Sequence, residues 1–232
     1  MSPELATDHH HAHGPANRRR WVLPTAAPLF VRHPRTAAGS GGIVLHDVHG
    51  LVPDVEQRCR DLARSGHVAV APYLYYETGG AEFRSQDEEA ALAAMSLRAP
   101  EDVDADVSAA VEHLEDKVGV PRARIGVLGL GLGGYLATRA CAERALGGAV
   151  AFDPPERESL PWPDVEATAE LLPGLRTPWL AIAGSTSIPE RAALLAAAER
   201  SRGPADVHVP DGPAQGEFDS WDEALRFLHA CF

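Results

Sequence analysis

The stretch RIGVLGLGLGGYLATRA, residues 124–140, constrains the fold of this chain more than any other. A short apolar run leads into a glycine-rich turn, and a run of small and apolar residues with helical spacing follows it. A buried strand that passes through a tight turn directly into a helix is typical of a parallel sheet covered by helices. At such a turn a protein presents either a reactive side chain or a backbone cradle for a phosphate group.

The rest of the chain repeats this alternation of strand and helix. Helical segments with regularly spaced apolar residues separate short apolar runs that are bounded by glycine or proline. The sequence therefore predicts an α/β fold with a doubly wound, mostly parallel sheet and helices on both faces. The predicted strands span residues 41–47, 67–72, 124–129, 147–153, 177–184 and 205–211, with a further edge strand within 28–34.

The length of 232 residues suits one such domain, which we place at residues 25–232. Residues 1–24 contain DHHHAHGPANRRR and have no apolar periodicity, so a disordered tail is expected there. The tail histidines can bind a transition metal weakly, but no carboxylate or thiol is placed to complete a rigid site. No metal site and no cofactor are predicted. The histidines concerned are His9, His10, His11 and His13.

The charge and the cysteine content limit which partners and which cellular compartment are expected for this protein. The formal net charge is −12, with 33 acidic and 21 basic residues, and this balance argues against nucleic acid as a partner. Cys59, Cys141 and Cys231 are too few and too widely spaced for a disulfide framework or a zinc pattern. No apolar run approaches the roughly twenty residues of a membrane span. We therefore expect a cytoplasmic protein that binds a small molecule, and the oligomeric state stays open.

One interpretation of the turn is a nucleotide site. Gly129, Gly131 and Gly134 match the pattern G-x-G-x-x-G between a strand and a helix, and Asp153 follows about twenty residues later, where a ribose-binding acid belongs. This would make the protein a nucleotide-dependent oxidoreductase. The position of the turn argues against that hypothesis, because two strands and at least two helices precede it, whereas a dinucleotide-binding fold usually opens with it.

The chain from about residue 41 to 232 resembles the dienelactone hydrolase family of α/β-hydrolases. The segments that carry the resemblance occur in the family's order: IVLHDVHGLVPDVEQRCRDLARSGHVAVAPYLY, DVDADVSAAVEHLEDK, RIGVLGLGLGGYLA, LRTPWLAIAGSTSIPERAALLAAAE and SWDEALRFL. The resemblance implies an α/β-hydrolase fold, a three-layer sandwich, and hydrolysis of esters or lactones by a nucleophile, a histidine and an acid.

The chain departs from the family pattern at all three of those positions. The elbow motif G-x-[SC]-x-G reads Gly129, Leu130, Gly131, Leu132, Gly133, so Gly131 stands in the place of the nucleophile. The position implied for the acid is Thr186, and the position implied for the histidine is Gly216. A glycine cannot attack a carbonyl, so we expect no acyl-enzyme chemistry at this turn and treat the chain as a pseudoenzyme of the family with respect to hydrolysis.

Part of the family's pocket is expected to persist. The resemblance implies an oxyanion hole built from the backbone N–H groups of Leu132 and Val48, which need no particular side chain. Asp47 stands where the family commonly has a glutamate, and a neighbouring histidine can form an acid–base pair with a carboxylate. We predict Asp47 and His49 as that pair. Val48, Gly131, Leu132, Tyr76 and Asp153 are the predicted ligand-binding residues.

The sequence leaves four functional hypotheses open. The first is a small-molecule protein without the triad, either a binder or a non-hydrolytic acid–base enzyme. The others are an active hydrolase with a relocated site, the nucleotide-dependent oxidoreductase, and a structural protein that uses the fold as a platform.

Overall fold

The computed structural model describes residues 26–36, 38–78, 82–210 and 216–232, apart from the side chains of 216–219. The whole predicted tail, with its four histidines, lies outside the described residues. One sheet of seven strands forms the centre, in the order β1-β3-β2-β4-β5-β6-β7. The edge strand β1 pairs antiparallel with β3, and the other neighbouring strands pair parallel. The strands are β1 Leu29–Arg32, β2 Gly41–Leu45, β3 Val68–Pro72, β4 Ile125–Leu130, β5 Gly148–Phe152, β6 Trp179–Ile182 and β7 Ala205–His208.

Helices cover both faces of this sheet, which confirms the predicted fold class. One face packs against α1 and α7, and the other packs against α2 to α6. A six-residue π-helical segment, His113–Val118, continues α3. The helices are α1 Pro53–Arg64, α2 Glu88–Ser96, α3 Pro100–Glu112, α4 Leu132–Glu143, α5 Thr168–Leu171, α6 Ile188–Ala198 and α7 Gly216–Cys231.

The alternation of side chains along each strand explains the two apolar layers. In β4, Val127 belongs to the layer under α3 and α4, whereas Leu128 belongs to the layer under α1 and α7. Successive side chains of a strand point to opposite faces, so a strand that is apolar at every position must be covered on both sides. Because β2, β4, β5 and β6 run parallel to one another, their carboxyl ends lie at the same end of the sheet, and the loops that follow them lie side by side.

Candidate active site at the glycine turn

The turn between β4 and α4 has the geometry of a nucleophile elbow, with Gly131 at the position predicted for the nucleophile. Gly131 has φ 51° and ψ −117°, a conformation that side-chain-bearing residues adopt only with strain. Its N–H donates to the Phe152 carbonyl at 2.9 Å, and its own carbonyl accepts from Gly134 N–H at 2.8 Å. A Cβ at Gly133 would overlap the Leu45 carbonyl oxygen, so the tight approach of this turn to β2 requires glycine there.

The carboxylate of Asp47 lies directly over Gly131. Its Oδ1 accepts a hydrogen bond from the backbone N–H of Leu132 at 2.8 Å. A Cβ at Gly131 would overlap Oδ1 and Cγ of Asp47 and would lie 2.6 Å from its Oδ2. The carboxylate therefore occupies the space that a serine or cysteine side chain would need, and it uses an N–H group that the resemblance assigns to the oxyanion hole.

The structure brings the two predicted acid–base residues together. His49 Nδ1 lies 3.6 Å from Asp47 Oδ2, within ion-pair distance but longer than a good hydrogen bond. The Nε2 atom of His49 is shielded from solvent and has no hydrogen-bond partner among the described residues. The backbone carbonyl of His49 accepts from Phe83 N–H at 2.9 Å, which fixes the loop from the other side. The imidazole thus has one nitrogen beside a carboxylate and one without a polar partner.

The buried ring of His46 supports the loop that carries Asp47 and His49, but it is not part of the predicted acid–base pair. Its ring is buried, and Leu74 N–H donates to Nε2 at 3.4 Å, so Nδ1 carries the proton and donates to the Asp47 carbonyl at 2.7 Å. Burial lowers the pKa of His46 to about 4, although the bond to the Asp47 carbonyl acts in the opposite direction. A neutral imidazole at this position holds the Asp47 backbone in place.

The tyrosines after β3 have different surroundings from one another. The predicted ligand-binding residue Tyr76 is half-buried, with its hydroxyl 3.3 Å from a carboxylate oxygen of Glu77 and the Arg98 guanidinium 5.6 Å from its ring centre. Tyr75 is buried and donates to the Val48 carbonyl at 2.7 Å. Burial raises the pKa of Tyr75, with a smaller contribution from the Asp47 charge. The support that Tyr75 gives to the loop has no signal in the sequence beyond its aromatic character.

Asp153 braces the loop in which the family's acid is expected. Its Oδ1 accepts from Ser185 N–H at 2.6 Å, from Thr186 N–H at 3.1 Å and from the Thr186 hydroxyl at 3.1 Å. Asp153 has φ 40°, the one positive φ of a non-glycine residue in the described part of the chain. Thr186, the predicted acid position, thus donates to a neighbouring carboxylate, and Oδ1 of Asp153 accepts three hydrogen bonds.

The predicted histidine position lies at the margin of what the structure describes. Gly216 is the first residue of α7, and the preceding residues 211–215 lie outside the described residues. The assignment of Gly216 to the histidine position therefore stays a prediction. Neither a His, Cys, Asp and Glu grouping suited to a metal nor a helix able to span a bilayer occurs among the described residues.

Known proteins share this architecture. The model of the dienelactone hydrolase family matches residues 29–187. No curated protein is significantly similar to this chain in sequence. A Klebsiella pneumoniae protein described as a dienelactone hydrolase superimposes with a TM-score of 0.75 at 21% identity, covering 88% of this chain and 92% of its own. A dienelactone hydrolase-like promiscuous phosphotriesterase from metagenomic libraries has a TM-score of 0.61 at 14% identity, covering 89% and 100%. An esterase has a TM-score of 0.63 at 18% identity, covering 89% and 99%.

Proposed function

Since this chain belongs to the dienelactone hydrolase family, we propose that it is a member without covalent ester hydrolysis, whose pocket serves proton transfer on a small molecule bearing a carbonyl or carboxylate group. The observation that carries this proposal is the Asp47 carboxylate over Gly131. Covalent hydrolysis begins with attack by a side-chain oxygen or sulfur. Gly131 supplies neither, and Asp47 fills the volume in which such an atom would stand. Thr186 at the acid position supports the same conclusion, because a hydroxyl cannot replace the carboxylate that orients a catalytic histidine.

Asp47 and His49 are the proposed acid–base pair. The Leu132 N–H holds Oδ1 of Asp47, which leaves Oδ2 facing His49 Nδ1 at 3.6 Å. A carboxylate in that position orients the imidazole with a proton on Nδ1 and a lone pair on Nε2. Nε2 then accepts a proton from a carbon next to the ligand's carbonyl and returns it at another atom, which is the chemistry of an isomerase. Nε2 is shielded from solvent and has no polar partner among the described residues, so the proposal requires the surrounding side chains to shift when the ligand binds.

The ligand's oxygen is assigned to the backbone beside this pair. Leu132 N–H is already used by Asp47, so Val48 N–H is the proposed donor to the carbonyl or carboxylate of the ligand. Gly131, Tyr76 and Asp153 stay proposed as residues of the pocket wall. A nucleotide fits this corner less well, because its pyrophosphate would meet the Asp47 carboxylate at the start of α4.

Deuterium exchange tests the proposal. An unsaturated lactone is incubated in D₂O with the purified protein, and NMR follows the uptake of deuterium. Deuterium should appear at the carbon next to the carbonyl group or at a carbon conjugated with that group. The variant His49→Ala should lose this exchange, because the base is removed, and Asp47→Asn should lose most of it, because the ring is no longer oriented. His208→Ala removes an exposed imidazole on β7 and is the matched control. Exchange that persists in His49→Ala would contradict the assigned base.

A further inference from the structure

A cavity lies at the opposite end of the parallel strands from Gly131. It has a volume of about 620 Å³, within the range of small-molecule pockets. Arg32 pairs with Ala69 near the start of β3, and α1 ends just before the same strand, so this cavity lies beyond the amino ends of the parallel strands. We call it the arginine groove. Its lining residues are Arg32, His33, Pro34, Arg35, Thr36, Arg60, Ala63, Arg64 and Gly66.

The arginine groove is positively charged in a strongly acidic protein. Four arginines line it and no acidic residue does, whereas the whole chain carries a formal net charge of −12. Two of the four arginines are offset by carboxylates of the same helix: Arg60 pairs with Glu56, and Arg64 pairs with Asp61. The other two have no carboxylate within 4 Å among the described residues. A charge of about +2 is therefore left uncompensated by local ion pairs.

The uncompensated arginines are available for an anion. The Arg32 guanidinium lies 4.2 Å from the centre of the Phe30 ring, and Nη1 donates to the Val31 carbonyl at 3.1 Å. Stacking occupies the face of a guanidinium and leaves N–H donors on its edge. Arg35 is exposed, and none of its side-chain atoms has a partner in the part of the chain that the structure describes.

Arginines from two different elements converge here. Arg32 and Arg35 come from β1 and the segment after it, Arg60 and Arg64 come from α1, and all four line the groove. Like charges that line one groove repel each other, and a bound anion offsets this repulsion. The convergence is the arrangement that a multivalent anion stabilises.

We propose that the arginine groove binds a small molecule through a phosphate or pyrophosphate group. Guanidinium groups match phosphate oxygens in charge and in paired hydrogen-bond geometry, and four arginines line this groove. A pyrophosphate has enough oxygens to engage Arg32 and Arg35 together. A long polyanion is disfavoured, because it would extend from the groove onto a surface with an excess of carboxylates.

Calorimetric titration of the full chain tests this site. The probes are inorganic phosphate, pyrophosphate and ATP, and pyrophosphate and ATP should bind more tightly than phosphate. The double variant Arg32→Gln/Arg35→Gln should weaken pyrophosphate binding by about tenfold or more, since two charge-assisted contacts are lost. Arg200→Gln/Arg202→Gln removes the same charge from an exposed region elsewhere and should change the dissociation constant less than about twofold.

Three outcomes would overturn the proposal. Equal weakening in both double variants would mean that only net charge matters, and it would overturn the site. Absence of binding of all three probes at millimolar concentration would overturn it as well. Tighter binding of a single-stranded oligonucleotide than of pyrophosphate would refute the assignment to a small molecule. Circular dichroism of each variant should be unchanged, because the replaced side chains are exposed.

Discussion

At the scale of single residues, the site depends on one contact between positions far apart in the sequence. Gly131 has no side chain, and the Asp47 carboxylate lies in the space thereby left open, bonded to Leu132 N–H at 2.8 Å. The glycine and the aspartate are therefore complementary in volume. A side chain at 131 would meet both an unfavourable φ and an occupied space.

This complementarity predicts a non-additive pair of substitutions. Gly131→Ala should lower the free energy of unfolding by about 2–4 kcal/mol, because backbone strain and overlap with Asp47 add. In the background of Asp47→Gly the same substitution should cost about 1–2 kcal/mol, since only the strain is left. Urea unfolding of the four proteins gives the coupling.

Gly174 provides the control for that cycle. A Cβ at Gly174 meets nothing within 4 Å, so Gly174→Ala should leave stability nearly unchanged. If Gly131→Ala costs no more than Gly174→Ala, the close packing of Asp47 on Gly131 is refuted.

Two buried histidines predict how stability depends on pH. Burial lowers the pKa of His46 and of His67 to about 4, and the neighbouring His229 adds to the effect at His67. The unfolded chain binds these protons near the ordinary pKa of 6.5, so it takes up more protons than the folded protein below that pH. The stability contributed by the neutral rings is thus fully present above pH 6.5 and is lost as the pH falls toward 4.

The measurement is urea unfolding between pH 6.5 and pH 5, where most carboxylates are still ionised. The free energy of unfolding should fall by about 1 kcal/mol per pH unit for each imidazole. His46→Gln, which keeps a donor and an acceptor, should remove about half of that slope. A stability that is constant across this range would show that the rings are not held neutral.

At the scale of elements, the loop after β3 is fixed by a buried ion pair. Arg98 follows α2 and donates to Asp106 of α3 at 2.7 Å and to the Leu74 carbonyl at 2.5 Å. The Trp162 indole N–H donates to the Arg98 carbonyl at 2.8 Å. Leu74 in turn donates to His46, so this pair connects the helices to the loop that holds Asp47.

Removing one partner of that pair should be costly. Asp106→Ala leaves the buried Arg98 guanidinium with only the exposed Glu77 carboxylate, 3.5 Å away, and the free energy of unfolding should fall by about 3–5 kcal/mol. Glu115→Ala breaks the partly exposed pair with Arg122 and should cost less than about 1 kcal/mol. Equal effects of the two substitutions would contradict the structural role of the buried pair.

At the scale of the whole molecule, the sequence predicts the architecture better than the site. Apolar runs, glycine boundaries and helical periodicity are local signals, and they predicted the parallel sheet, the helices on both faces and the turn at Gly131. The contact between Asp47 and Leu132 joins positions 85 residues apart and has no local signal. The same holds for Asp153, whose Oδ1 is engaged by Thr186, and for the buried pair of Arg98 and Asp106. Such side-chain pairings follow from tertiary packing, which periodicity does not encode.

The central claim is that no residue of this protein forms a covalent intermediate at the glycine turn. Intact-protein mass spectrometry after incubation with a fluorophosphonate tests it most directly, with a serine esterase of the same fold as the positive control. We predict that the mass stays unchanged and that an activated ester is hydrolysed no faster than in buffer. Stoichiometric addition of one phosphonyl group, with loss of any esterase activity, would contradict the account and would reveal a nucleophile elsewhere in the chain.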